Sequence, residues 1–587
     1  MLTQKSIVVL PFENISSDRE NEYFADGVTE EIINALSKIE GLKVTARTSS
    51  FAYKNNPKDI RIIGNELGVS TALEGSIRKS GNRIRISTQL IKTDNGFQVW
   101  SESFDRDLID IFELQDEISL LIADKIRENF GHLEIHEHLV TAQTNNVDAY
   151  SYFLKGRYHQ LRWNFNGFDI AIEAYEQSVS LDPTFYKPYF GLLQCYGLKA
   201  SWGAMDKGLG MEKANQYLNE GLKISNQTTE AHFALATKSL WVDWKPYEAL
   251  GHHTHALAIN PNDSEVLESA AEAHIALGQF DDASSYIKKA LDVNPLSANH
   301  LFTLGNIYYL QRDFSNALIW LNKSLEIDPS WELSLQVSAL CYIFMKDRRG
   351  LDDLMVRHPE LTEGYLFPHL YDAMHMGVPI NSVALPESND VYFPWSLWTL
   401  IYAGKTEEAF QQLLSGIEAK QGQYLNFLHE PINQPITTST KYKSRIPSVF
   451  DDPIQAAGQH DSGKSNALIP VEDQQQYMGK LERLMHEEQL YMSGNLTLRS
   501  LAQSVDLHAN KLSRLINEVI GKNFNEYING LRVEAFKKKA MEPTYSHYSL
   551  LGIAYECGFT SKSVFNDFFK KSEGMPPSAW LKKQKSR

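Results

Sequence analysis

The apolar positions change period along the chain, and the changes mark its parts. Ile7-Val8-Val9-Leu10 is a short continuous apolar run ended by Pro11, which predicts a buried strand. Thr29 caps a segment that carries Ile32, Ile33, Leu36 and Ile39 on one helical face. Residues 76–79 and 83–88 alternate around Ser80-Gly81-Asn82, the pattern of a β-hairpin. Mixed signals of this kind predict an N-terminal α/β domain over residues 5–125. Residues 145–421 keep a helical period and predict an all-α middle. Residues 430–470 lose periodicity and hold Pro431, Pro435, Pro447, Pro453, Gly458, Gly463 and Pro470, the composition of a linker. Helical patterning returns near Glu472 and predicts an all-α domain over 471–587.

The middle repeats itself. Ala249, Ala283 and Ala317 are 34 residues apart, as are Pro261, Pro295 and Pro329, and Ala256, Ala290 and Ser324 keep the same period. An earlier copy ends in Ser178-Val179-Ser180-Leu181-Asp182-Pro183, with Ala171 and Tyr175 in step. Small residues let two helices of a unit pack closely, and the proline stops the second helix. This is the tetratricopeptide signature. Such units stack into a superhelix whose concave groove receives a peptide or protein partner.

The last domain holds one pattern twice. Leu501, Ala502 and Val505 face inward from a helix beginning at Leu498, the turn Asp506-Leu507-His508 follows, and Leu512, Leu515 and Ile516 face inward from a helix ending at Gly521. Leu550, Ile553 and Ala554, the turn Cys557-Gly558-Phe559-Thr560, and Phe565, Phe568 and Phe569 before Gly574 repeat it. A connecting helix over 527–541 stops before Pro543. These are two helix-turn-helix units.

Two family resemblances add to this reading. Leu10-Pro11-Phe12, Glu22-Tyr23-Phe24-Ala25-Asp26-Gly27, Ala46-Arg47-Thr48-Ser49-Ser50-Phe51, Leu73-Glu74-Gly75-Ser76 and Val99-Trp100-Ser101-Glu102 resemble the TolB-like domain that precedes bacterial repeat proteins and regulators. That likeness implies a fold and no defined activity. Leu512-Ser513-Arg514-Leu515, Leu531-Arg532-Val533-Glu534-Ala535, Ile553-Ala554-Tyr555-Glu556-Cys557-Gly558-Phe559, Phe568-Phe569-Lys570-Lys571 and Gly574-Met575-Pro576-Pro577 resemble the AraC/XylS family of bacterial regulators. This second resemblance implies two recognition helices entering successive major-groove segments of double-stranded DNA.

A recognition helix must present donors and acceptors to base edges while its other face packs on the core. Asn510, Lys511, Ser513, Arg514 and Asn517 point outward on the first such helix, and Lys562, Ser563, Asn566 and Asp567 on the second. Asn510, Ser513, Arg514, Lys562, Ser563 and Asn566 are the candidates for base readout. Lys570, with Lys537, Lys538 and Lys571, suits phosphate. Asp567 departs from the AraC/XylS pattern, which often carries Arg there.

Charge supports this polarity. The whole chain carries −16, yet residues 496–587 carry +7, leaving −23 on the rest. A basic end on an acidic body is expected when only that end meets phosphate. Cys195, Cys341 and Cys557 form no disulfide framework and no zinc spacing. No apolar run reaches the ~18 residues of a membrane span, so a cytoplasmic protein without membrane contact is expected.

Other signals are weaker. Gly458-Gln459-His460-Asp461-Ser462-Gly463-Lys464-Ser465 fits the phosphate-loop expression but lacks the buried strand before it and the helix after it. His132, His136 and His138, and His252, His253 and His255, lack convincing carboxylate or thiolate partners for a metal. Trp241, Trp244, Trp395 and Trp398 read as repeat core. No nucleophile–base pair stands out, so no enzyme, cofactor or metal is expected. The sequence reads as a DNA-binding transcription regulator whose repeats and N-terminal domain receive a small-molecule effector or protein partner, and homodimers would raise affinity for paired sites. The rival readings are a repeat scaffold with a vestigial DNA domain, and a regulator using the Gly458 loop for nucleotide.

Overall fold

The computed structural model describes residues 5–16, 22–54, 56–140, 143–161, 165–201, 204–362, 366–380, 392–446, 449–450, 471–507, 509–545 and 547–585. They form an N-terminal α/β domain, a run of paired helices and a C-terminal helical domain, the three fold classes that the periodicity predicts.

In the N-terminal domain β1 (Ser6–Val9) lies parallel to β3 (Lys43–Val44) and to the start of β4 (Thr71–Ser80). β2 (Glu13–Asn14) continues along β4 beyond the break at Pro11. β4, β5 (Arg83–Lys92) and β6 (Gln98–Asp107) then form an antiparallel meander. The sheet is therefore open and mixed, in the order β3-β1-β4-β5-β6 with β2 also on β4. The apolar run at β1 is continuous because both faces are covered. Ile7 and Val9 enter the core shared with α1 (Glu22–Ser37) and α4 (Ile111–Phe130), whereas Val8 and Leu10 pack with Tyr53, Ile63 and Leu67 on the side of α2 (Arg47–Phe51) and α3 (Ile60–Leu67).

The middle is a stack of antiparallel helix pairs, from Val147–Gln160 with Phe165–Leu181 to Trp395–Tyr402 with Thr406–Glu418. Ala249, Ala283, Ala317, Ala256, Ala290 and Ser324 are fully buried, as close helix contact requires. The Ser324 hydroxyl donates to the Ala298 carbonyl (2.8 Å), and Ser178 does the same to Ala149 (2.7 Å), so the serine variants of this position tie the two helices of a unit together. Trp244, Trp395 and Trp398 are core residues. Residues 430–446 depart from the irregular linker expected over 430–470: Pro431–Asn433, Gln434–Thr437 and Thr440–Lys443 are short helical turns, with Ile432, Ile436 and Tyr442 buried in the repeat core.

The N-terminal domain and the repeats share one hydrophobic core. Tyr150, Phe153, Leu154, Phe168 and Tyr175 of the first repeat join Phe24, Val28, Ile32 and Phe112 in it. A Cβ on Gly27 would lie 2.6 Å from the Leu154 side chain, which would have to shift to admit it. Charged contacts extend the junction. Glu30 of α1 pairs with Arg157 (2.9 Å) and Arg47 (3.2 Å), and Glu31 pairs with Lys187 (3.0 Å). Burial alone would raise the Glu30 carboxyl, but the two guanidiniums outweigh it and hold the group below its usual value. Ser49 meets Asn294, and the Asn262 amide donates to the carbonyls of Ser37 and Leu42. The N-terminal domain thus rests on the loops between repeats at Asn262 and Asn294, with a cavity of about 860 Å³ left between it and the array.

Glu430 links the short turns at 431–443 to the array through the Tyr309 hydroxyl, and both groups are buried. Burial pushes the Glu430 carboxyl up to about 7. A raised carboxyl contributes stability while protonated, below about pH 4.5, and loses it as pH climbs towards 7. Glu430→Gln, neutral at every pH, is expected to stabilise the repeats at pH 8 by on the order of 3 kcal/mol at most. Thermal melts from pH 4.5 to 8 check this: the variant's melting temperature should fall less than the parent's.

Candidate nucleic-acid interface

The two C-terminal units are built alike. Thr497 caps helix Leu498–Ser504 through a reciprocal pair with Ser500, and Ser549 caps Leu550–Glu556 by accepting from the Gly552 amide (3.0 Å). Each first helix closes on the turn by an equivalent bond: Leu507 N–H to the Ala502 carbonyl (2.9 Å), and Phe559 N–H to that of Ala554 (3.2 Å). The turn demands a left-handed residue, filled by Asp506 (φ 58°) in one unit and Gly558 (φ 92°) in the other. The second helices are Ala509–Leu515, continued as a wider turn over Ile516–Ile520, and Lys562–Glu573. Gly521 and Gly574 end them in the left-handed conformation.

The connecting helix is Phe524–Met541, begun by a capping box between Asn523 and Glu526. Its Phe536 packs on Phe565 and Phe569 at ring separations of 4.8 and 5.4 Å, and Phe569 meets Trp580 edge-on. Arg532 is the residue that helical patterning alone does not reveal as structural. It is buried and donates to the carbonyls of Tyr491 (2.7 Å) and Ser493 (2.8 Å) and to Asn529 (3.2 Å). Burial brings its guanidinium down to about 10. It fixes the turn at Leu490–Met492 to the connecting helix, and that turn touches Gly558.

The candidate DNA-reading residues divide sharply between the units. On the second recognition helix Lys562, Asp567 and Lys570 are exposed and Asn566 is half-buried. On the first, Lys511 is exposed, but Ser513 is only 2% exposed, which removes it from any outward face in this arrangement. Arg514 pairs with Glu134 (3.1 Å) and lies 3.8 Å from Glu518, and the Asn517 amide donates to the Ser513 carbonyl (2.7 Å). The side chains of Asn510 and Ser563 lie outside what the structure describes, as does the whole Gly458–Ser465 loop. Lys537 pairs with Glu534 and Glu573, and Lys571 with Glu526.

The first unit is covered by the N-terminal domain. Residues 131–135 follow α4 without regular structure; Leu133 and Ile135 are buried in the domain core, and His132 and Glu134 are partly exposed. Glu134 takes Arg514, Asp124 takes Arg499 (3.0 Å), and Glu128 accepts from the Leu498 backbone N–H (3.1 Å). The Asn523 amide donates to the Asn129 carbonyl (2.9 Å), and a Cβ on Gly131 would lie 3.0 Å from Asn517. These acidic partners carried no signal in the sequence beyond the split between a basic end and an acidic body. Two of the discounted histidines also have carboxylate partners, His132 with Glu134 (3.0 Å) and His138 with Asp116 (2.8 Å). Among the described residues no group of three or more His, Cys, Asp and Glu could hold a metal ion, and no helix is long and apolar enough to cross a membrane.

Comparison with known proteins assigns the three parts. Residues 501–583 match the model of a helix-turn-helix domain, and residues 269–330 that of a tetratricopeptide repeat. Residues 3–121 match the second domain of HilA/YgeH-like transcriptional regulators. That match and the open mixed sheet, which is not propeller-like, overturn the TolB-like resemblance, and the AraC/XylS label gives way to the broader helix-turn-helix description. The chain is 36% identical to a Rhizobium meliloti protein named putative adenylate cyclase 3 over 255 residues, 43% of this chain and 40% of that protein. It is 34% identical to the Bos taurus protein SGT1 homolog over 77 residues, 13% of this chain and 23% of that one. The chain thus spans less than half the length of either relative. Solved structures that align include Pseudomonas aeruginosa pilF (14% identity, 39% of this chain, 97% of that one, TM-score 0.30). Another is a thermophilic tetratricopeptide protein of Thermus thermophilus (18%, 32% and 97%, TM-score 0.25). The chain thus carries a regulator-type N-terminal domain, tetratricopeptide repeats and a helix-turn-helix module, as regulatory and scaffolding proteins do.

A side chain on Gly558 would combine a left-handed backbone with a Cβ 2.7 Å from the Met492 carbonyl oxygen. Gly558→Ala is expected to destabilise the C-terminal domain by about 2 kcal/mol or more. Denaturant unfolding followed by amide exchange over 490–573 checks this, with the repeats as an internal reference that should not change.

Proposed function

We propose that this chain is a sequence-specific DNA-binding transcription regulator. The observation that carries the reading is the pair of equivalent helix-turn-helix units set on one connecting helix, the second presenting Lys562, Asn566, Asp567 and Lys570 on its open side. Two recognition helices on a rigid spacer suit two successive major-groove segments. Arg514, Asn510 and Ser513 on the first helix, and Lys562, Ser563 and Asn566 on the second, are proposed to read base edges. Lys511, Asn517 and Lys570 are proposed to position the backbone, and Asp567 to accept from a cytosine amino group. Ser513 is buried in the present arrangement, so its reading of a base requires a rearrangement of the first unit. The match of residues 3–121 to a transcriptional-regulator domain supports the same reading.

The repeats and N-terminal domain are proposed as the receiving body. A small-molecule effector suits the cavity between them, and a peptide or protein partner suits the part of the groove that the N-terminal domain leaves open. A cytoplasmic location and homodimers on paired sites belong to the same proposal. The alternative is a repeat scaffold with an idle DNA module, favoured by the covering of the first recognition helix.

Selection of duplexes from a random pool with the full chain separates the two. A regulator is expected to enrich a motif that Asn566→Ala relaxes at one segment and Arg514→Ala at the other, each by about 1–3 kcal/mol against the wrong base. Lys570→Ala should weaken all duplexes alike and flatten the salt dependence. Partner capture without any enriched motif would move the scaffold reading ahead.

A further inference from the structure

We propose that the acidic edge of the N-terminal domain is an internal stand-in for the DNA backbone, holding the first helix-turn-helix unit closed. This rests on reading residues 498–573 as the DNA reader and concerns how that reader is regulated.

Three carboxylates of one edge meet the first helix-turn-helix unit, two of them through arginines that DNA would otherwise engage. Glu128 accepts from the backbone N–H of Leu498, at the start of helix Leu498–Ser504. Asp124 pairs with Arg499 (3.0 Å), and Glu134 with Arg514 (3.1 Å), the candidate guanine reader. Asn517 lies against Gly131, and Ser513 beside it is buried.

The edge also has a cost within its own domain that this contact relieves. Asp124 and Glu128 stand in the last two turns of α4, Ile111–Phe130, where the helix dipole disfavours negative charge. Arg127 and Lys125 answer part of that charge inside the helix, and the C-terminal unit answers the rest. Partly exposed ion pairs of this kind are individually weak. A latch made of them is one that a duplex with many phosphates can displace. While it is closed, the apparent affinity for DNA falls by the fraction of chains in which the first unit is open. The second unit, with its polar side exposed, is free to make the initial encounter.

The test uses the full chain. Glu134→Ala removes one carboxylate without adding positive charge, and is expected to tighten binding to the selected duplex by about threefold relative to a scrambled one. Amide exchange of residues 509–517 without DNA should quicken in Glu134→Arg and slow again in Glu134→Arg/Arg514→Glu, where the pair is reversed. A misfolded variant would not be rescued by that swap. Equal affinity, or exchange that ignores both substitutions, would overturn the proposal. Should neither protein enrich a motif, the DNA-reading assignment itself fails, and the exchange series alone then decides whether the latch exists.

Discussion

Helix α1 is covered on both sides, by its own sheet and by the first repeat, and the rest of the molecule is arranged around that constraint. Phe24, Val28, Ile32 and Leu36 are fully buried, and the Leu154 side chain packs directly on Gly27. Two carboxylates, Glu30 and Glu31, are carried into the same junction. A buried charge is tolerable only with a partner; Arg47 of α2 supplies one, and the repeats supply Arg157, in the last turn of helix Val147–Gln160, and Lys187, at the start of helix Lys187–Ser201. The α/β domain and the array are therefore held as neighbours by a shared core and by charges that neither could bury alone. α4 packs on α1 in the same core, which brings its C-terminal end and residues 131–135 to the DNA module.

Much of this was legible in the sequence. The 34-residue period located the helix pairs because each unit spends the same small residues on the same close contact. The doubled pattern around Ala502 and Ala554 located both turns because the hydrogen bond closing each turn starts from those residues' carbonyls. Local rules did not reach the assembly. Nothing in the pattern of residues 430–446 separates a linker from a cap; short turns around Ile432, Ile436 and Tyr442 become ordered only because the last repeats offer apolar surface. The TolB-like resemblance rested on scattered short stretches that the open mixed sheet and the HilA/YgeH-like match do not support.

Helical spacing matches the exposure of Lys562, Asp567 and Lys570 on the second recognition helix, and departs from the burial of Ser513 on the first. Helical spacing assigns Ser513 and Arg514 to the outward side of their helix. In the whole chain that side faces the edge that carries Asp124, Glu128 and Glu134. The charge split between +7 at the C-terminal end and −23 elsewhere was the one trace of this contact in the sequence. Read as a phosphate-binding end on an acidic body, the same numbers also describe two parts of one chain that attract each other.

The central claim is that the DNA-reading face of the first unit and the acidic edge of the N-terminal domain exclude each other. Amide exchange across residues 124–135 of the full chain, with and without a saturating selected duplex, tests it most directly. The account predicts that exchange in this edge quickens when DNA is bound, because its partners Leu498, Arg499 and Arg514 leave it. Exchange that stays the same, or slows, while the duplex is bound would contradict the account.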